Sequence, residues 1–275
     1  MKHRRHDPAA GFTLIEMVIA IVITGIIGGM LAVFIRGPIE GYMASVRRAD
    51  LTDAADGALR RIARDVRTAL PNSLRATDDA APGNCFEFLP AVGGGRYRAA
   101  QSDAATGDIL DFSIADTSFD VLAGTNLPSF AGAAAFHAVV YNLGIPGADA
   151  YNAADLNRAS IRNTATAANI VLNAGNQFPL ASPGRRFDVI PNFSVVYSCA
   201  GGNLIRSTQP IAAAHLAACP AAGEVLVSNV SACSFSYTAA VMQANGQLTM
   251  TLTLTDAPSG ESIRLYQEVH VNNAP

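Results

Sequence analysis

Between Phe12 and Ile35 the chain runs for 24 residues with a single charge, Glu16. As a helix that run would rise about 36 Å, enough to cross a bilayer core of roughly 30 Å. The stretch before it, Met1-Lys-His-Arg-Arg-His6, is basic. Lys2, Arg4 and Arg5 favour the cytoplasmic side of a membrane, so the residues beyond Arg36 are expected to point outward.

Two ordinary readings of this start fall short. A secretory signal peptide has an apolar region of only about 7–15 residues and ends at a small-residue cleavage site. Here the run is longer and is followed by Phe34-Ile35-Arg36-Gly37-Pro38. A plain membrane anchor accounts for the length but not for Glu16. A carboxylate inside a membrane helix costs at least about 2.5 kcal/mol and ordinarily has a partner.

Gly11-Phe-Thr-Leu-Ile-Glu16 resembles the class III signal of type IV prepilins and type II secretion pseudopilins. The resemblance implies cleavage by a prepilin peptidase between Gly11 and Phe12, and methylation of the new Phe12 amine. It also implies that Glu16 pairs with the Phe12 amine of a neighbouring subunit, neutralising both charges in an apolar filament core and setting axial register. The partners it implies are that peptidase, other major and minor pilin subunits, and the inner membrane. The N-terminus would be cytoplasmic before processing, the remainder periplasmic and then at the cell surface.

The length of 275 residues leaves room for one or two ordinary domains, and half the residues are hydrophobic, enough for a core outside the membrane. The formal net charge is −3, and without the leader's +2 it becomes −5. That mild acidity is no nucleic-acid signature, and no general nucleic-acid binding is expected. Cys85, Cys199, Cys219 and Cys233 all lie beyond the apolar run, on the oxidising side, where an even count favours disulfides. Four cysteines permit three pairings. We expect Cys199–Cys219, closing a polar loop, and Cys85–Cys233, tying the start of the domain to its late strands. No C-x-x-C pair suggests a metal site.

Within the apolar run, Gly25 and Gly29 form a G-x-x-x-G pair that would let helices approach closely. Gly37-Pro38 predicts a kink or short break. A second helical stretch follows, with Leu59, Ile62, Val66 and Leu70 as an apolar stripe that Leu51, Ala55 and Ala58 extend. Opposite lie Arg60, Arg61, Arg64 and Arg67, with Asp50, Asp53, Asp56 and Asp65 interspersed. This face reads as a solvated surface with i, i+4 pairs or as a charged contact with a neighbouring subunit. Pro71-Asn72-Ser73 is expected to end the helix.

From Asn84 the period changes to two. Strands are expected at 85–89, 96–98 after a Gly93-Gly-Gly95 turn, 109–115, 136–141, 193–199, 203–206, 224–230 and 233–239. Leu248-Thr-Met-Thr-Leu-Thr-Leu-Thr255 alternates strictly, as do Ile263, Leu265, Val269 and Val271 with Arg264, Tyr266, Glu268 and His270. The segment 144–183, rich in Ala, Asn, Gly and Asp, reads as a surface insertion with one short helix.

The predicted fold class is α+β, with a long N-terminal helix, half membrane and half amphipathic, packed on an antiparallel sheet. The boundaries expected are a leader at 1–11, a membrane helix at 12–36, a stalk helix at 37–72, and a β-rich domain at 73–275 containing the 144–183 insertion. Several stretches resemble O-type minor pilins of mannose-sensitive haemagglutinin (MSHA) pili. They are residues 37–42, 47–53, 59–73, 86–90, Asn229-Val-Ser-Ala-Cys-Ser-Phe-Ser-Tyr237 and Val269-His-Val-Asn-Asn-Ala-Pro275. The larger type II pseudopilins share the signal and layout, and an adhesive or DNA-contacting tip module on such a stalk is the reading from a different class.

No enzyme site is legible. His137, His215 and His270 stand apart from one another and from cysteines. Asp149, Asn152, Asp155 and Asn157 could ring a cation, but the spacing is not that of an EF-hand, and Asn and Asp favour turns anyway. Gly93-Gly-Gly-Arg-Tyr-Arg98 lacks the elements of a phosphate loop. Asn192-Phe-Ser and Asn229-Val-Ser match a glycosylation pattern within expected strands. No catalytic residue, metal ligand or cofactor is expected.

Overall fold

The computed structural model describes residues 11–76, 83–102, 106–132, 135–239 and 245–275. The basic leader, with Lys2, Arg4 and Arg5, lies outside them. The chain divides into two compact units, Met1–Asp50 and Leu51–Pro275.

Helix α1 spans Leu14–Arg67, 54 residues with Pro38 inside. Of the kink or short break expected at Gly37-Pro38, the break does not occur, since the helix continues through both residues. The helix also stops before Pro71. Its last turn tightens, with Thr68 N–H donating to Asp65 O and Ala69 N–H to Val66 O. Leu70 N–H then turns away to Leu89 O, and Ala91 N–H pairs back to Thr68 O. Pairing with the chain beyond 88 therefore ends the helix before the proline does.

In the first unit every residue from 11 to 43 is exposed. Among the described residues α1 is the one helix long and apolar enough to cross a membrane. A Cβ added at Gly25, Gly28 or Gly29 would meet nothing, so that surface is open to a neighbouring helix.

Among the described residues the second unit contains three antiparallel sheets. The first holds β1 (Arg75–Ala76), β2 (Cys85–Phe88), β9 (Ser194–Ala200), β10 (Asn203–Gln209) and β11 (Glu224–Val227), in that order. The second is β12 (Val230–Thr238), β13 (Gly246–Thr255) and β14 (Ser262–Val271). Ala55, Ala58, Leu59, Ile62 and Val66 of α1 share one core with Phe86, Phe88, Val195, Tyr197, Leu204, Phe235, Leu248, Met250, Leu252, Leu254 and Val269. Leu59, Ile62 and Val66 of the stripe thus meet the strictly alternating strands in one core, whereas Leu70 lies past the end of α1 and packs in another cluster, and the α+β class holds.

The third sheet has the order β6 (Arg158–Ser160), β5 (Phe136–Val139), β8 (Arg186–Pro191), β3 (Gly93–Tyr97), β4 (Asp116–Thr125), β7 (Asn169–Asn176). Its outer strands meet, with Ile161 bridged to Leu172 and Arg162 N–H bonded to Val171 O. The curled sheet encloses a separate core of Tyr97, Phe119, Phe130, Phe178, Phe187, Ile170 and Leu172. A smaller cluster of Leu70, Leu89, Val139, Ala150, Tyr151 and Ile190 joins this lobe to the helix-bearing core.

This lobe corrects three readings. Segment 144–183 is no surface appendage, because β6, β7 and the buried Phe178 belong to it; its one helical piece is the 3-10 turn Ala153–Asp155. Residues 109–115 are not a strand, and β4 begins only at Asp116. Gly93–Gly95 is not a turn but the middle of the sheet. A Cβ there would fall 2.4 Å from Asn126 O, 2.7 Å from Phe187 O and 2.5 Å from Ala123 O, respectively. The neighbouring backbones approach too closely for any side chain.

Candidate functional site

Gly11 and Phe12 precede the first helical residue, and Phe12 is 84% exposed. The Thr13 hydroxyl accepts from Glu16 N–H at 3.3 Å, and Thr13 N–H reaches back to Glu16 Oε2 at 3.5 Å. Thr-Leu-Ile-Glu is thus a capping box, each side chain serving the other's backbone amide. The box fixes the carboxylate one turn into the helix, and Oε1 makes no hydrogen bond among the described residues. Cleavage after Gly11 would create an amine at Phe12, so this short segment would hold both partners of a charge pair.

The lower part of α1 is fastened by contacts that sequence reasoning missed. Asp65 Oδ2 accepts from Tyr197 Oη at 2.6 Å and from Arg206 Nε at 2.9 Å. Burial, reinforced by the Asp65 carboxylate, pushes the Tyr197 hydroxyl's pKa far up. Arg61 makes a two-pronged pair with Glu224, at 2.9 and 2.8 Å, which raises the Arg61 pKa and lowers that of Glu224. Arg60–Asp56 is an expected i, i+4 pair on this part of the helix. The available signal was position: Asp65 lies beside Val66 and three residues after Ile62, on the border of the apolar stripe.

The four cysteines form two disulfides, Cys85–Cys219 and Cys199–Cys233, with Cα separations of 5.6 and 6.4 Å. The pairing expected from the sequence is wrong, and strand alternation gives the reason. On β9, Val195, Tyr197 and Cys199 face the helix-bearing core, where Cys233 of β12 also packs. On β2, Phe86 and Phe88 take that face, so Cys85 and Glu87 take the other. There the segment between β10 and β11 lies over the sheet, with Ser198 Oγ bonded to Pro220 O. Arg75 holds the same segment. It pairs with Glu87 at 2.8 Å, lies 3.5 Å from the Tyr151 ring centroid, and donates to the carbonyls of Ala212, Ala213 and Ala214.

Asp149, Asn152, Asp155 and Asn157 do come near one another, but local bonds occupy them. Asp155 accepts from Gly147 N–H, Asp149 N–H and Asn152 Nδ2, and Asn157 Nδ2 donates to Asn142 Oδ1. Among the described residues no group of three or more His, Cys, Asp or Glu could hold a metal ion. His270 is exposed, His215 Nδ1 faces Ala76 O, and His137 is half-buried on β5. Burial and then Arg158 lower the His137 pKa to about 4. Asn192 and Asn229 are exposed between strands, not within them.

Residues 8–32 match the family model of the prokaryotic N-terminal methylation motif. The chain therefore carries the class III signal of type IV pilin-like proteins, and the segment holding Gly11, Phe12 and Glu16 lies within the match. No curated protein and no solved structure matches the chain.

Proposed function

We propose that the chain is a minor subunit of a type IV pilus-like filament, a structural protein and not an enzyme. Prepilin peptidase cuts between Gly11 and Phe12, and the Phe12 amine is methylated. The subunit waits in the inner membrane with its second unit in the periplasm, and is then drawn into a filament among major and minor pilins. The observation that carries this reading is Glu16, the one carboxylate in an otherwise apolar helical surface, placed one turn from the cut. Such a group is costly in lipid and becomes favourable when a neighbour's amine neutralises it.

Within this class we assign the chain to the O type of MSHA pili, on the stretches at 37–42, 47–53, 59–73, 86–90, 229–237 and 269–275. A role near the tip or in initiation suits a subunit whose second unit carries two separate cores. Mass spectrometry of the N-terminal peptide, from sheared filaments and from membranes, tests the assignment. A methylated Phe12 start in sheared filaments is expected. The same peptide confined to membranes would point to a pseudopilin, and a Met1 start in both would sink the reading. Charge pairing is tested separately by Glu16→Gln, which keeps shape and removes charge. Filament incorporation should fall several-fold with membrane insertion intact; unchanged incorporation would exclude the pairing.

A further inference from the structure

A groove of about 510 Å³ lies in the second unit, between the end of α1 and the outer face of the curled sheet. Its floor is the backbone of Gly93, Gly94 and Gly95, where no Cβ fits. Its walls carry Arg67, Arg96 and Arg186. Arg67 also belongs to an adjoining depression with Arg60 and Arg64. Arg64, Arg67, Arg96 and Arg186 are exposed, and none makes an ion pair among the described residues. This concentration of unpaired cations occurs in a chain of net charge −3.

One group breaks the basic character. Asp188 of β8 lies over Gly94, where an added Cβ would come within 3.2 Å of its Oδ1, and it has no hydrogen-bond partner among the described residues. It is less than half exposed, and burial raises its pKa to about 6 while Arg186 opposes the rise. A polyanion without donors would leave this acceptor unsatisfied and repelled. The groove also offers no ring for base stacking. Its one aromatic, Phe187, is 1% exposed and turned into the lobe's core, whereas single-stranded nucleic acid sites rely on exposed aromatic platforms.

We propose that this groove binds an acidic, extended polypeptide segment of a partner protein. Its carboxylates pair with Arg67, Arg96 and Arg186, and one of its backbone N–H groups donates to Asp188. Arginine suits this task because its planar fork meets carboxylates two-pronged. The side-chain-free floor lets a peptide backbone approach closely. The proposal stands independently of the filament reading.

The test uses the full chain in detergent micelles and a fluorescein-labelled ten-residue oligoglutamate, followed by fluorescence anisotropy at 50 and 200 mM salt. Binding is expected at the lower salt and weaker at the higher. The triple variant Arg67→Gln/Arg96→Gln/Arg186→Gln should weaken it about tenfold or more, while Arg264→Gln on β14 leaves it unchanged. Unaltered circular dichroism and melting temperature would separate lost contacts from lost fold. Asp188→Ala should also weaken binding. Tighter binding by Asp188→Ala would mean a plain anion site and overturn the peptide assignment. So would tighter binding of a single-stranded oligonucleotide of equal charge that depends on the same arginines. No oligoglutamate binding at 50 mM salt, or binding indifferent to the triple variant, would overturn the site itself.

Discussion

Asp65 sits on a helix whose exposed face is crowded with charge, yet the fold uses it as an internal anchor between α1, β9 and β10. Asp65→Ala strands the Tyr197 hydroxyl and the Arg206 guanidinium, and is expected to cost about 2 kcal/mol. Asp65→Asn keeps an acceptor for Tyr197 but loses the charge pair, and should cost about half as much. Denaturant titration of the full chain in detergent checks both; a loss below about 0.5 kcal/mol for the alanine variant would remove the anchor from the account. His137 and Asp188 give a second prediction at this scale. Cross-strand register puts both on one face of the curled sheet, His137 opposite Ile190 and Asp188 opposite Val139. His137 has its folded pKa lowered from 6.5 to about 4, so its contribution is full above pH 6.5 and is lost as pH falls toward 4. Asp188 has its folded pKa raised from 3.8 to about 6, so its contribution is full below pH 3.8 and is lost as pH rises toward 6. The two slopes oppose each other in the same window. Melting temperature should therefore vary least with pH between 4 and 6 in the parent. It should fall with acid more steeply in Asp188→Asn, and fall with rising pH in His137→Gln. Parallel profiles for all three would refute the opposed titrations.

The elements that could be read in advance are those in which one period governs a whole segment. The stripe Leu59, Ile62, Val66 and the alternation of 246–255 and 262–271 each have one buried face and one wet face, and the core forms where these faces meet. The curled lobe obeys no such rule. Its β6 has three residues, β7 begins at Asn169 and ends at Asn176, and its interior is filled by Phe119, Phe178 and Phe187 from distant segments. Its glycine run mimics a turn because what those glycines accommodate, backbones within 3 Å, is tertiary. The N-terminal methylation motif was legible because it is local, with Gly11 to Glu16 six consecutive residues inside the family match. The disulfides were not, since pairing depends on which face of β2 and β9 each cysteine occupies. That dependence makes a prediction for the element. Non-reducing digestion should yield peptides linking Cys85 to Cys219 and Cys199 to Cys233, with none of the four crossed pairs. The Cys85–Cys219 bond closes the longer separation, 134 residues against 34. A double serine variant there should lose about 5 kcal/mol, against about 4 for the other pair, in the chain-entropy limit. Crossed peptides would mean that the faces of β2 or β9 are misassigned.

At the scale of the whole molecule, the curled lobe enters and leaves at one place. Phe88 at the end of β2 is paired with Val195 near the start of β9, and Val92 N–H is bonded to Val189 O. The lobe is therefore inserted between two strands that are already neighbours, and it has its own core. Removing 144–183 alone would tear β6 and β7 from the sheet, so it could not distinguish a binding role from a folding defect. Replacing residues 91–191 by a short Gly-Ser turn can, because it leaves β2 and β9 as a hairpin. All four cysteines and the helix-bearing core stay in the shortened chain. The cost falls on the seam, where Leu70 and Leu89 lose the cover of Val139, Ala150, Tyr151 and Ile190. That is about 2 kcal/mol for each leucine, and Arg75 loses its aromatic face at Tyr151. The shortened chain should melt cooperatively at a lower temperature, retain both native disulfides and still enter filaments. Loss of any cooperative transition, or scrambled disulfides, would mean that the lobe is part of the folding unit. Incorporation with loss of surface attachment would place the adhesive function in the lobe. Incorporation with attachment intact would leave the subunit purely structural.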